Sequence, residues 1–333
     1  LQESSLNALI LQLLGMIITE ISLATAILSR GDLLAIPTET VYGLAANAFD
    51  GAAVAKIYQA KNRPQFNPLI LHSNSLERFK AWGIELPEKA LKLAAAFSPG
   101  PITFVVPKSA LIPDIVTAGH ATVAIRIPNH ALCLALLAEL DFPVAAPSAN
   151  KSGSISPTTA QHVLEQFGES IGGILDGGPC QIGLESTIVS FTTEKPKLLR
   201  LGGLSLESIE NVLGEKLDTS GLINNENPEA PGMLSRHYAP QTPLYLDTAE
   251  NHLEQVSYEE MAFIGFNESH PKIPITQQIL LSKKGSYAEA AQQLFAAIRR
   301  ADALNQKIII ATLLPEEDLG RAINDRLRRA AIK

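Results

Sequence analysis

Cysteine, aromatic residues and surplus positive charge are all scarce in this sequence. Its 333 residues include 2 cysteines and 5% aromatics, and 27 Lys plus Arg face 34 Asp plus Glu, a formal charge of −7. Cys133 and Cys180 lie far apart and form no C-x-x-C pair, which excludes a zinc ribbon and a disulfide framework and leaves core-filling thiols in a reducing cytoplasm. An acidic chain without interleaved aromatics is not built to hold nucleic acid by bulk electrostatics, so any cationic site must be local. No G-x-x-x-x-G-K-[ST] loop occurs, nor a carboxylate cluster with metal-ligand spacing. The apolar run LNALILQLLGMII (6–18) is too short to span a bilayer and lacks a basic n-region and an A-x-A cleavage site, so no membrane association is expected.

What is present is an interleaved α/β pattern, in a chain long enough for two domains. Residues 1–15 are set aside as a leader, because Met16 directly precedes the helix-like ITEISLATAILSRGD and suits a native start. Residues 16–213 predict strands at 32–37, 69–72, 102–106, 122–127, 143–148, 172–175, 186–191 and 197–201. Helices are predicted up to Arg30 and over 51–61, 75–82, 87–97, 129–140, 158–167 and 205–213. Several late strands follow one another directly, which predicts a mixed rather than purely parallel sheet. Residues 214–242 are rich in Asn, Glu, Pro and Gly and read as a linker, yet they carry Arg236, His237 and Tyr238. That cargo suits either anchors of a tether or a segment folding over a site. Residues 243–333 predict a smaller Rossmann-like α/β domain, with a helix near 249–256 and the long helix SYAEAAQQLFAAIRRADAL among its mostly parallel strands.

Three polar stretches interrupt the apolar strands: PTETVYGLAAN (37–47), KNRPQFNPLILH (61–72) and APSANKSGSISPT (146–158). In the second, Lys61 and Arg63 flank one residue at a helix exit, where a non-helical backbone can aim both cations the same way. They could grip an anion, or simply complement the helix dipole. In the third, Ser148 and Asn150 open a Ser/Gly-rich loop able to cradle phosphate, while Ser156 followed by Pro157 could equally be a helix N-cap. Arg126 in TVAIRIP and Arg200 in KLLRLGG are charges inside core-like strands, which require a ligand or a buried partner such as Glu39 or Glu185. Together these sites suggest an anion pocket.

The motifs PTETVYGL, KNRPQFNPLI, TVAIRIP, APSANKSGSISPT, GLESTIV, LLRLGG and HYAP, in this order, resemble those of the threonylcarbamoyl-AMP synthase family, in its long form with a C-terminal domain. The resemblance covers roughly 16–333, with GRAINDRLRRAA similar to the long form's tail, and Ala45 stands where that family commonly has glycine. It implies a YrdC-like mixed twisted sheet with helices as the catalytic domain. It also implies the reaction of L-threonine, bicarbonate and ATP to threonylcarbamoyl-AMP and pyrophosphate, with Mg2+ held through ATP phosphates. The product would pass to a separate tRNA threonylcarbamoyl transferase complex, and tRNA would not be needed for the synthesis itself. By this resemblance Lys61, Arg63, Ser148 and Asn150 form the catalytic signature. ATP contacts fall on Arg63, Asn67, Thr122, Ser148, Ser156, Arg200 and Tyr238, and threonine contacts on Thr40, His72, Arg126, Ala146 and Ser186. His72 would position the amino acid or act as a general base. Two rival readings are a carbamoyl-adenylate-forming maturation enzyme, whose relatives carry zinc-finger cysteines, and a non-catalytic RNA-binding module.

Overall fold

The computed structural model describes residues 16–220, 222, 230–231 and 237–332. The expected leader, residues 1–15, and Arg236 of the expected linker lie outside these residues.

The first unit is built on strands β1 (Ile17–Ile18), β2 (Leu34–Ile36), β3 (Gly43–Asn47), β4 (Ile70–His72), β5 (Ile102–Pro107), β6 (Thr122–Arg126), β7 (Val144–Ala145), β8 (Gly173–Leu175), β9 (Thr187–Ser190) and β10 (Lys197–Arg200). They form one sheet in the order β1-β8-β2-β3-β7-β4-β6-β5-β9-β10. As the run of late strands implies, it is mixed: β4 pairs parallel with β6 and β5 with β9, whereas β3 to β7, β7 to β4 and β5 to β6 are antiparallel. Its helices are α1 (Ile21–Ser29), α2 (Gly51–Lys61), α3 (Leu76–Ala81), α4 (Glu88–Phe97), α5 (Asp114–Thr117), α6 (Ala131–Glu139), α7 (Ala160–Phe167) and α8 (Leu206–Leu213). Strand residues alternate between two buried faces: Ala35, Leu44, Leu71 and Ile125 join one core, Leu34, Ile36, Ala45 and Val144 another. Each fully buried large apolar side chain contributes roughly 1.5–3 kcal/mol.

The second unit holds β11 (Leu244–Tyr245), β12 (Met261–Gly265), β13 (Gln278–Leu280) and β14 (Ile308–Ala311), with α9 (Tyr287–Ala303) and α10 (Gly320–Ala330). Its order is β11-β14-β12-β13 and every pairing is parallel. The two units share apolar packing, because Val41, Ile155 and Leu184 of the first lie in one cluster with Leu294, Phe295 and Ile298 of α9. Gly183 permits this approach: it has φ +76°, and a Cβ there would come within 2.5 Å of the Gln292 backbone.

Three local expectations change. GLAAN forms strand β3, antiparallel to β2. Helix α7 starts at Ala160 and is capped by Thr159, whose side chain accepts from the His162 amide, so Ser156 is not its N-cap. The helix expected over 249–256 is a single 3-10 turn, Ala249–His252. Among the described residues no helix is long and apolar enough to cross a membrane.

Candidate active site

The parallel pair β4 and β6 ends with His72 directly beside Arg126 in the register. Outside the carboxyl ends of these strands lies a cavity, the usual place for a ligand in an α/β sheet. Its lining includes Thr40, Arg63, His72, Arg126, Ala146, Ser148, Ser186, Arg200 and Tyr238. Segments far apart in sequence therefore converge on it: the β2-β3 turn, the exit of α2, the ends of β4, β6 and β10, the post-β7 loop, the start of β9 and the linker.

How Arg63 reaches the cavity follows from the end of α2. Asn62 caps that helix in the left-handed conformation, φ +50°, and turns the chain sharply after Lys61. The guanidinium of Arg63 is then held by the carbonyls of Asn67 (3.1 Å) and Pro68 (2.8 Å). Lys61 points elsewhere: its ammonium donates to the carbonyls of Ser148 and Asn150 and is buried behind the loop. Burial, then the neighbouring Arg63, pushes its pKa well below the usual lysine value. The two cations are thus divided between tasks, Arg63 facing the cavity and Lys61 fastening the wall that carries Ser148.

Arg126 meets Glu39 in a buried ion pair, Nη2 to Oε1 2.8 Å. The contact is coulombic and poorly aligned, since among the described residues neither Glu39 oxygen nor that nitrogen has a hydrogen-bond partner. Arg126 also donates through Nε to the Gly100 carbonyl at 3.2 Å. Beside it, His72 Nδ1 lies 3.2 Å from the Ile70 carbonyl. A carbonyl only accepts, so the proton sits on Nδ1 and Nε2 is left as an acceptor. Burial, then Arg126, lowers the His72 pKa to about 3, so the ring is neutral near pH 7.

Arg200 follows an irregularity in the β9-β10 register, which re-aims its side chain. It donates through Nε (3.0 Å) and Nη2 (2.9 Å) to the Ser186 carbonyl and through Nη1 (3.1 Å) to the Pro231 carbonyl of the linker. Ser186 Oγ lies 2.7 Å from Thr103 Oγ1. Gly202 lies against this backbone so closely that a Cβ would be 2.4 Å from the Glu185 carbonyl oxygen. Tyr238 adopts φ +65°, rare for a bulky side chain, and packs 5.2 Å from Phe295 of α9. The linker is therefore held at Pro231 by Arg200 and at Tyr238 by the second unit.

Four expected residues stand behind the lining. Asn67 is buried beneath Arg63, Asn150 donates to the carbonyls of Lys151 (2.9 Å) and Ser154 (2.8 Å), and Lys61 holds that same loop. Ser156 donates to Glu185 at 2.7 Å. Thr122 does not join them: it starts β6, roughly 13 Å of strand from Arg126. Thr38, Pro231 and His237 line the cavity without having been singled out as contacts. Missed altogether was Arg326 of α10, fully buried and bonded to Glu185 Oε2 at 3.0 Å. A signal for it exists, because Arg326 falls on the apolar stripe of Ala322, Ile323, Leu327 and Ala330, where an arginine needs a buried partner.

Among the described residues that line the cavity, Glu185 is the one carboxylate and is fully engaged, whereas three arginines, Arg63, Arg126 and Arg200, border the same space. Such a surplus suits an anionic ligand. Among the described residues no group of three or more His, Cys, Asp or Glu side chains is placed to hold a metal ion.

Residues 26–202 match the Sua5/YciO/YrdC family model described as telomere recombination, and residues 204–332 match the model of the threonylcarbamoyl-AMP synthase C-terminal domain. The chain is 41% identical to the threonylcarbamoyl-AMP synthase of Pyrococcus abyssi over 326 residues, covering 94% of each. The chain belongs to the threonylcarbamoyl-AMP synthase family. A Bacillus subtilis threonylcarbamoyl-AMP synthase is likewise 41% identical, over 94% of this chain and 93% of its own. The crystal structure of P. abyssi Sua5 complexed with L-threonine superposes with a TM-score of 0.83 at 40% identity, covering 93% of this chain and 94% of that one.

Proposed function

We propose that this enzyme is an L-threonylcarbamoyladenylate synthase, converting L-threonine, bicarbonate and ATP into threonylcarbamoyl-AMP and pyrophosphate. The observation that carries this is the gathering of Arg63, Arg126 and Arg200 beside a neutral His72 around one cavity, in a chain that is acidic as a whole. Arg126, whose side chain lines the cavity beside His72, receives the threonine carboxylate. His72 Nε2 accepts from the threonine amine, and Thr40, Ser186 and the Ala146 backbone complete the amino-acid side. Arg63, Ser148, Arg200 and Tyr238 face ATP, with Lys61, Asn67, Asn150 and Ser156 holding that wall.

The amine nitrogen bonds to the carbon of CO2 from bicarbonate and loses a proton, giving a carbamate. A carbamate oxygen attacks the α-phosphorus as the bond to the β-phosphate bridging oxygen breaks, and pyrophosphate leaves. Charge grows on phosphate oxygens, so fixed cations supply the rate and no protein nucleophile is needed. With both Glu185 oxygens occupied, the described lining residues offer no carboxylate set for a metal, and Mg2+ would be held by ATP phosphates and water, where it would neutralise charge. The carbamate and the mixed anhydride are labile in water, which gives the linker of residues 214–242 its role as a cover between a catalytic domain over 16–213 and a C-terminal domain over 243–333. The product then serves a tRNA threonylcarbamoyl transferase complex in the cytoplasm.

The test is pyrophosphate release from ATP with and without L-threonine, bicarbonate and RNA. Release that needs threonine and bicarbonate but no RNA is expected, and Arg63→Ala should lower it about 10²-fold. Release supported by carbamoyl phosphate in place of threonine, or only in the presence of RNA, would overturn the reading.

A further inference from the structure

The last helix of the C-terminal unit sends an arginine into the catalytic unit. Arg326 is 0% exposed; its Nε and Nη2 reach Glu185 Oε2 at 3.1 and 3.0 Å, and its Nη1 reaches the Leu201 carbonyl at 2.6 Å. Its guanidinium also lies 5.7 Å from the Tyr238 ring centroid. It thus touches three parts of the ATP wall at once: the residue before Ser186, the residue after Arg200, and the linker tyrosine.

Glu185 is the centre of this arrangement. Its Oε1 accepts from Ser156 and its Oε2 from Arg326, and Arg200 is bonded to the carbonyl of the next residue, Ser186, where its charge and that of Glu185 act on each other. Arg200 instead spends its donors on Ser186 and Pro231. Among the described residues, the other guanidinium that acts on Glu185 is that of Arg200, and a buried carboxylate deprived of Arg326 would capture it, pulling Arg200 from the linker and from ATP.

We propose that Arg326 is a positioning residue for ATP: by neutralising Glu185 from the C-terminal unit, it keeps Arg200 aimed at the nucleotide. The inference rests on the reading of Arg200 as an ATP contact. It also makes the second unit part of the active site, beyond any role in holding the linker.

The experiment compares full-length wild type, Arg326→Met, Arg326→Lys and the double variant Glu185→Gln/Arg326→Met, measuring melting temperature, L-threonine affinity by calorimetry, and KM for ATP in the pyrophosphate assay. Arg326→Met should raise the KM for ATP by about tenfold or more while threonine affinity stays within about twofold. The double variant, in which Glu185 no longer carries charge, should bring that KM back to within about threefold of wild type. Arg326→Lys should fall between, keeping the charge and losing the fork. An unchanged KM in Arg326→Met, or a double variant no better than the single one, would overturn the proposal. If Arg326→Met fails to fold, the decision passes to Arg326→Lys and the double variant: a KM raised only in Arg326→Lys supports it, equal values overturn it. Wild type releasing no pyrophosphate would instead strike the reading of the function.

Discussion

At His72 a backbone carbonyl decides the chemistry. The Ile70 carbonyl takes the proton of Nδ1, and burial beside Arg126 keeps the ring neutral, with a pKa of about 3 against an ordinary value near 6.5. Below pH 6.5 the unfolded histidine binds a proton that the folded one refuses, so stability falls as pH drops from about 6.5 towards 3, by at most about 1.4 kcal/mol per pH unit for this group. His72→Gln has no such proton to bind. Denaturant midpoints at pH 7 and pH 4.5 should therefore show about 2–3 kcal/mol less acid destabilisation in His72→Gln than in wild type. The pH dependence of turnover between 6 and 8 should have the same shape in both. Equal acid destabilisation would mean that the ring titrates normally; a lost limb in the rate profile would make it a base.

Elements bring these residues together, and the strands were the more legible part of the sequence. Apolar runs such as ITFVV and TVAIRI announce themselves by composition, and the density of strands after residue 172 was sufficient to predict a mixed sheet. GLAAN was not read as a strand because small residues and a terminal asparagine leave little β signal, and only pairing with β2 and β7 makes it one. The cavity was legible as a set of cations, but the division between Lys61 and Arg63 was not. It depends on the left-handed turn at Asn62 and on the carbonyls of Ser148 and Asn150, which are remote in sequence. Arg326 was hidden for the same reason, its partner lying 141 residues away. Close packing of elements gives a direct test at Gly202, where a Cβ would meet backbone at 2.4 Å and no flexible side chain can yield. Gly202→Ala should displace Glu185 and Ser186, cost about 2–4 kcal/mol of stability and lower turnover well beyond the loss of folded protein. A melting temperature and rate equal to wild type would mean that this backbone is free to shift.

In the whole molecule, the two units are joined by apolar packing, by Arg326 and by Tyr238 together, and these three act in one direction. Val41 flanks the cavity and also belongs to the apolar cluster shared with α9, while Tyr238 packs on Phe295 and near Arg326. Removing the second unit would uncover Val41, Ile155 and Leu184, and strip the counter-charge from Glu185 in the same cut. Exposed apolar surface promotes association, and breaking a buried ion pair by removing one partner destabilises by about 3–5 kcal/mol. A chain of residues 16–220 should therefore run as aggregates on size exclusion and turn over ATP at under about a tenth of the full-length rate. Replacing Glu185 with Gln and Leu184 with Ser in that shortened chain removes the bare charge and reduces the apolar patch. If both defects arise at the severed contact, the doubly substituted fragment should recover a monomeric peak, but without Tyr238 it should not recover turnover. A fragment monomeric and fully active without these changes would make the second unit an independent passenger, and Arg326 a contact without consequence for ATP.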